Sequence, residues 1–203
     1  MKRGLTAYLT LLVSCVCAWG RGELPRITFG AEWGYMPAFV TGYHYNFYDP
    51  EEGFRYDGKD SSMSYHTNGE VTLHVGYNIN ELWNLSVHAG YSGAAGFQPV
   101  IPLSLRGTRF WGRGHQSDRW FSFCDIGSGI CLKKKPQWIF STKLGSGYRI
   151  SLSRHTKLDF IAALRFLYMH PDIIYYGSSL GHEWINRNDG YVGSLFLGLA
   201  LTF

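Results

Sequence analysis

The sequence holds 203 residues, room for one domain and a targeting segment. Aromatic residues make up 17%, glycine numbers 25, and charged residues reach only 17%, below the ~25% usual for soluble domains. The net charge of +4 is mild and, Lys133-Lys134-Lys135 apart, the basic residues do not cluster, which excludes a nucleic-acid footprint.

The first element is a targeting signal. Lys2 and Arg3 precede an uncharged run from Leu5 to Trp19, and Ala18 and Gly20 put small residues at −3 and −1 of a cleavage site. This pattern predicts a secretory signal peptide over 1–20, its run shorter than the ~20 residues a spanning helix needs. The mature chain then begins near Arg21. A rival reading takes Leu12-Val13-Ser14-Cys15 as a lipoprotein box with an acylated Cys15, at the expense of an apolar mature start, Val16-Cys17-Ala18-Trp19. Either way, export leaves Cys124 and Cys131 where disulfides can form.

No later segment is apolar enough for a transmembrane helix, and helical periodicity is absent. What recurs is period-two alternation, broken by Gly, Pro, Asn and Asp. Eight such stretches are predicted as strands: 26–36, 70–78, 83–92, 100–110, 120–132, 138–152, 157–168 and 191–203. The first sets Ile27, Phe29, Ala31, Trp33 and Tyr35 against Thr28, Gly30, Glu32 and Gly34. The same alternation continues through Tyr43, Tyr45 and Phe47, so the strand is expected to extend toward residue 45. In 83–92, Trp83, Leu85, Val87, Ala89 and Tyr91 oppose Asn84, Ser86, His88 and Gly90.

The fifth stretch decides the fate of the cysteines. A hairpin at Gly127-Ser128 would set Cys124 opposite Cys131 and permit a bridge. A continuous strand gathers Cys124, Ile126, Ile130 and Leu132 on one face. Its odd spacing of seven then parts the cysteines to opposite faces, about 23 Å apart at ~3.3 Å per residue. The continuous strand keeps the strand count even, so both are expected as thiols, with Cys124 facing lipid. Further on, Phe140, Leu144 and Tyr148 oppose Lys143, Gly145 and Arg149. Leu158, Phe160, Leu164 and Phe166 oppose Asp159, Ile161, Ala163 and Arg165. Leu195, Leu197, Leu199, Leu201 and Phe203 oppose Ser194, Phe196, Gly198, Ala200 and Thr202.

Strands of about ten residues can cross a bilayer at a tilt. A backbone in lipid must be paired throughout, so the sheet must close on itself. The predicted fold is therefore all-β, a closed antiparallel transmembrane β-barrel of eight strands over 21–203. A soluble barrel or sandwich shares the alternation, with the apolar face inward. Two details favour the membrane: the apolar face is too crowded with Phe, Tyr and Trp for a narrow interior, and the other face is rich in Gly, Ser and Ala. The connections 79–82, 111–119 and 153–156 are placed on the periplasmic side. Long outer loops are expected at 37–69 and 169–190, with short ones at 93–99 and 133–137.

The end of the chain carries a more specific mark. Gly198, Leu201 and Phe203 resemble the terminal strand of outer-membrane barrels, and Phe196 departs from the polar residue expected two before that glycine. Over 21–203 the chain resembles the outer-membrane β-barrel domain families, small OmpA/OmpX-type barrels included. That resemblance implies location in the cell outer membrane, outer-membrane lipids and the barrel-insertion machinery as partners, and no particular activity.

The lumen face is expected to hold Glu32, Arg106, Asp125, Lys143, Arg149, Asp159 and Arg165, joined by His74 and His88. Mixed buried charges should pair and plug the lumen; a proton or solute path is the alternative. Two histidines are too few for zinc, and no metal, cofactor or catalytic residue is assigned. Ser178, Ser179, His182 and Glu183, with His170 and Asp172, are candidates for a lipid-modifying site at the outer rim but form no motif. Lys133-Lys134-Lys135 could touch lipopolysaccharide phosphates or lie in a solvated turn. Tyr43, Tyr45, Phe47, Tyr48, Phe54 and Tyr56 are aromatic enough for a binding surface. The expectation is a non-enzymatic barrel with a structural or surface-binding role through its loops; a lipid A-modifying enzyme and a narrow pore are the alternatives.

Overall fold

The computed structural model describes residues 24–203 apart from 64, 95–97, 113, 133–136, 172 and 176–177. The segment read as a signal peptide, the lysine triplet and Asp172 lie outside the described residues.

The strands are β1 (Ile27–Tyr35), β2 (Ala38–Tyr48), β3 (Arg55–Ser62), β4 (Gly69–Asn78), β5 (Trp83–Ala94), β6 (Gln98–Phe110), β7 (Arg119–Cys131), β8 (Gln137–Ser151), β9 (Lys157–Met169), the short β10 (Ile174–Tyr175) and β11 (Ser178–Ser179), and β12 (Ile185–Thr202). All ladders are antiparallel. The sheet runs β1-β4-β5-β6-β7-β8-β9-β12 and closes through a β1–β12 pairing. The long β12 is shared: Leu197 to Thr202 pair with β1, and Ile185 to Ser194 pair with β2. Thus β1 and β2 form one interrupted strand, β3 and β4 another, and eight strands surround the axis.

The interruption has a local cause. Pro37 has no N–H to give to a ladder. Beyond it the register with β12 steps from Ser194↔Ala38 to Gly193↔Val40, and Phe39 and Val40 are both exposed. An extra residue of this kind is a β-bulge, and it moves every later side chain to the opposite face. Tyr35 therefore faces out, whereas Thr41 and Phe47 are buried. The expected continuation of the strand is present, but on the other face.

Two predicted outer loops are shorter than expected. Most of 37–69 is the β2–β3 hairpin, turned at 49–54, and β12 starts at Ile185, leaving 170–184 as the last outer connection. Asp49 shapes the hairpin turn by accepting the Glu51 and Glu52 amides at 2.8 and 3.2 Å. β7 is unbroken; Cys124 lies on its outer face, Cys131 on its inner face, and no disulfide joins them.

Polarity settles what surrounds the barrel. Leu73, Val75, Leu103, Leu105, Leu144 and Leu164 are all exposed, while Glu32, Glu70, Arg106, Asp125, Lys143 and Arg165 are buried. In water so wide an apolar surface would be a severe liability; in a bilayer it is the lipid-facing belt. Rings gather at both ends of that belt. Phe29, Tyr77, Trp83, Trp120 and Phe203 lie toward the chain termini, and Tyr35, Tyr91, Trp138, Phe166 and Tyr191 toward the β2–β3 hairpin. Such girdles mark the two interfaces.

Phe203 closes the seam. Its amide donates to the Phe29 carbonyl at 2.8 Å, the Phe29 amide donates back at 3.1 Å, and the rings stack at 5.5 Å. Deleting Phe203 is expected to lower the heat-modifiable, folded fraction in membranes several-fold. Normal folded levels of the truncated chain on unboiled gels would contradict this.

Candidate functional site

Cross-strand register builds the lumen. Arg106 on β6 and Lys143 on β8 both stand opposite Asp125 on β7, so one carboxylate is flanked by two cations. Arg106 Nη2 and Nε donate to Asp125 Oδ2 at 3.0 and 3.2 Å. From β1 across the axis comes Glu32, which accepts from Arg106 Nη1 at 2.5 Å and Nη2 at 3.0 Å. Lys143 Nζ lies 3.7 Å from Glu32 and 3.8 Å from Asp125, and it is hydrogen-bonded to Glu70. Arg165 Nη1 reaches Ser92 Oγ at 3.3 Å, and that hydroxyl donates to Glu70 at 3.1 Å. Three carboxylates thus meet three cations in a buried cluster whose geometry is bidentate at its centre.

Sequence reasoning named every member except Glu70. The signal was available: residues 70, 72, 74 and 76 share a parity, and His74 was already placed inside. Arg149 does not join this cluster. It grips Asp159 at 2.7 Å from both Nε and Nη2, nearer the chain termini. His74 and His88 are paired across β4 and β5, and their rings stack at 4.9 Å. Among the described residues no group of three His, Cys, Asp or Glu side chains is arranged to hold a metal.

Apolar layers fill the remaining space. Toward the outer end, Ala38, Val100, Cys131, Ile139, Leu167, Met169 and Val192 form one buried cluster. A second buried cluster gathers Phe110, Phe121 and Phe123, toward the chain termini, with Phe196 and with Met36, whose sulfur meets Arg165 of the ion cluster. The interior is therefore more aromatic than its Gly, Ser and Ala content suggested. A lumen cavity, bounded by Glu32, His74, His88, Arg149 and Asp159 among others, measures about 30 Å³, enough to admit water.

Toward the outer girdle and above it the β2–β3 hairpin prolongs the wall, with β2 hydrogen-bonded to β12. Tyr45, Phe47 and Tyr56 stack on its inner face, with Tyr45–Tyr56 at 5.7 Å and Phe47–Tyr56 at 5.4 Å. Gly58 makes room for the Tyr45 ring, which would lie 2.5 Å from an added Cβ. On the other face His44 Nε2 lies 3.1 Å from Asp57, and this hydrogen bond holds the Asp57 carboxyl below its ordinary range. Arg55 donates to Asn46 at 2.8 Å. Tyr48 stacks on Trp184 of the last outer connection at 5.8 Å, tying the two together.

Of the rim candidates, His170 Nδ1 lies 2.6 Å from the Asn188 carbonyl and 3.8 Å from Asp189, and Glu183 is exposed. Asp189 already accepts from Tyr168 at 2.6 Å and from Arg187 at 2.5 Å. Ser178 and Ser179 form β11, and His182 opens a one-turn helix; their side chains lie outside the described residues.

A closed antiparallel barrel, apolar outside and polar inside, is the architecture that spans outer membranes, and this chain is such an outer-membrane barrel. No family model matches the chain, and no curated protein matches it. Solved structures of similar fold include neisserial surface protein A, 12% identical over 87% of this chain and 97% of that chain, with a TM-score of 0.48. The outer membrane protein OprG of Pseudomonas aeruginosa is 11% identical over 90% and 98%, with a TM-score of 0.49. The outer membrane protease OmpT of Escherichia coli is 7% identical over 90% and 99%, with a TM-score of 0.36. The likeness is one of fold.

Proposed function

We propose that this chain is an exported, non-catalytic and non-conducting outer-membrane protein that engages an extracellular partner through its β2–β3 hairpin. The observation that carries this reading is the contrast between a filled lumen and a built outer surface. Among the described residues the ion cluster and the two apolar clusters pack the interior, and the lumen cavity beside Glu32 and Asp159 measures about 30 Å³, too small for a solute. The hairpin, by contrast, prolongs two strands of the wall and is braced by stacked rings and by Trp184. Exposed aromatics on a rigid support supply contact area at little entropic cost. Tyr48, Phe54, Tyr56 and Trp184 are all exposed there. Their partner would offer flat apolar faces, as sugar rings and aromatic peptide side chains do.

Replacing residues 43–60 by an Asn-Gly turn is expected to leave insertion and heat-modifiability intact. It should abolish binding of barrel-displaying cells to an immobilised glycan and peptide panel. Undiminished binding by the shortened barrel would overturn the assignment of the hairpin. Stepwise conductance of the intact barrel in planar bilayers would overturn the closed lumen.

A further inference from the structure

One side of the barrel wall is interrupted. The β1–β4 ladder ends at Tyr35↔Gly69, and the β2–β3 ladder begins at Thr41↔Ser62. Between them, an Ala38–His66 bridge and a bond from the Met36 amide to the Asn68 carbonyl, 2.8 Å, hold the strands together. The segment after β3 flares outward: Met63 is 88% exposed and Tyr65 62%. The Tyr65 ring packs 5.9 Å from Phe39, and its hydroxyl meets that of Tyr35.

Beneath this flare a groove of about 830 Å³ runs along the outer face of β12, β1, β4 and β5. Trp33, Tyr35, Val71, Tyr91, Leu197 and Leu199 wall it, and Thr67 and Asn68 mark its end toward the hairpin. Glu70 contributes to the floor, but its carboxylate turns inward to Lys143 and Ser92. Gly69 keeps the groove open. It is exposed, and a Cβ added there would meet nothing nearer than the Gly34 carbonyl oxygen at 3.8 Å. A side chain would fit at this position, and none is present.

The groove lies within the apolar belt at the level of the outer girdle, where the surrounding medium is lipid. A convex barrel wall touches an acyl chain on one side. A groove touches more of it, and dispersion grows with every atom brought into contact. The rigid rings of Trp33, Tyr35 and Tyr91 lose little freedom in making those contacts. We infer that this groove is a binding site for one acyl chain of an outer-leaflet lipid, its headgroup end toward Thr67 and Asn68. The inference needs the membrane placement alone and is independent of any partner of the hairpin.

The test uses the full barrel reconstituted in phosphatidylcholine vesicles doped with a phosphatidylcholine whose acyl chain carries a diazirine. On illumination the diazirine loses N₂, and the resulting carbene inserts into a neighbouring C–H or O–H bond. Peptide mass spectrometry then maps the adducts. Adducts at Trp33, Tyr35, Tyr91 and Leu197 are expected to exceed those at Leu105, Ile126 and Leu144 on the opposite wall several-fold. Gly69→Phe should bring the groove down to the level of that wall and leave the wall unchanged. Even labelling around the belt, or a groove signal indifferent to Gly69→Phe, would overturn the inference. Folding of the variant is checked by its gel shift. Gly69→Leu is the smaller filler if Phe blocks insertion, and if neither inserts, the wild-type map alone decides.

Discussion

Arg106→Met is expected to destabilise the barrel by about 3–5 kcal/mol, the usual cost of removing one partner from a buried ion cluster. Arg106 is the hub: it spans Glu32 and Asp125 and is 5% exposed. Without it, three buried carboxylates face Lys143 and Arg165 alone, and one negative charge is left uncompensated away from water. Methionine conserves much of the volume, so the loss is electrostatic and not a packing defect. The double variant Arg106→Met with Glu32→Gln restores two anions against two cations and should recover a large part of the loss. Urea unfolding in lipid vesicles, followed by tryptophan fluorescence and gel shift, measures both. A single variant within about 1 kcal/mol of the parent, the range of a surface pair, would show that the cluster carries little of the fold's stability. A double variant no better than the single would show that charge balance is not what Arg106 supplies.

The same cluster shows how far sequence reasoning reaches in a barrel. Period-two alternation assigns a face to each residue, and the faces assigned to Glu32, His88, Arg106, Asp125, Lys143, Arg149, Asp159 and Arg165 match their positions. Which of them meet is a matter of register and of distance across the lumen, and a single strand encodes neither. Arg149 was grouped with the rest yet pairs apart from them with Asp159. Glu70 is legible by its parity with His74. The flip at Phe39 was not legible, because a bulge is a property of two paired strands: Tyr43, Tyr45 and Phe47 keep alternating in sequence while the chain changes face beneath them. The rings of Phe110, Phe121 and Phe123 are ambiguous for another reason. Phenylalanine suits lipid and a dry lumen equally, so composition alone does not place them; only the parity with Asp125 puts Phe121 and Phe123 inside. The groove at Gly69 could not be foreseen at all, since it arises where two ladders fail to meet.

Phe196→Ala is expected to cost about 3–5 kcal/mol, the range for emptying a buried aromatic site. The terminal-strand pattern asks for a polar residue at this position, which faces the lumen. Here the ring is wholly buried. It packs between two glycines: a Cβ on Gly34 or on Gly198 would come within 2.5 or 2.6 Å of it. The Lys143 ammonium lies 4.8 Å from its centroid, a cation–π contact in a desolvated place. Removing the ring leaves a void beside charged groups. Strands fixed by closed ladders cannot collapse to fill it, and water that enters would loosen the ion cluster. Phe160→Ala on the lipid face is the control. Its ring is 46% exposed to the surroundings, and mobile acyl chains close over the gap, so about 1 kcal/mol or less is expected there, as for substitutions outside a packed core. Vesicle unfolding of both variants decides the matter: equal losses at Phe196 and Phe160 would mean that the lumen ring is no more than another apolar side chain, and that the departure from the family pattern has no structural weight.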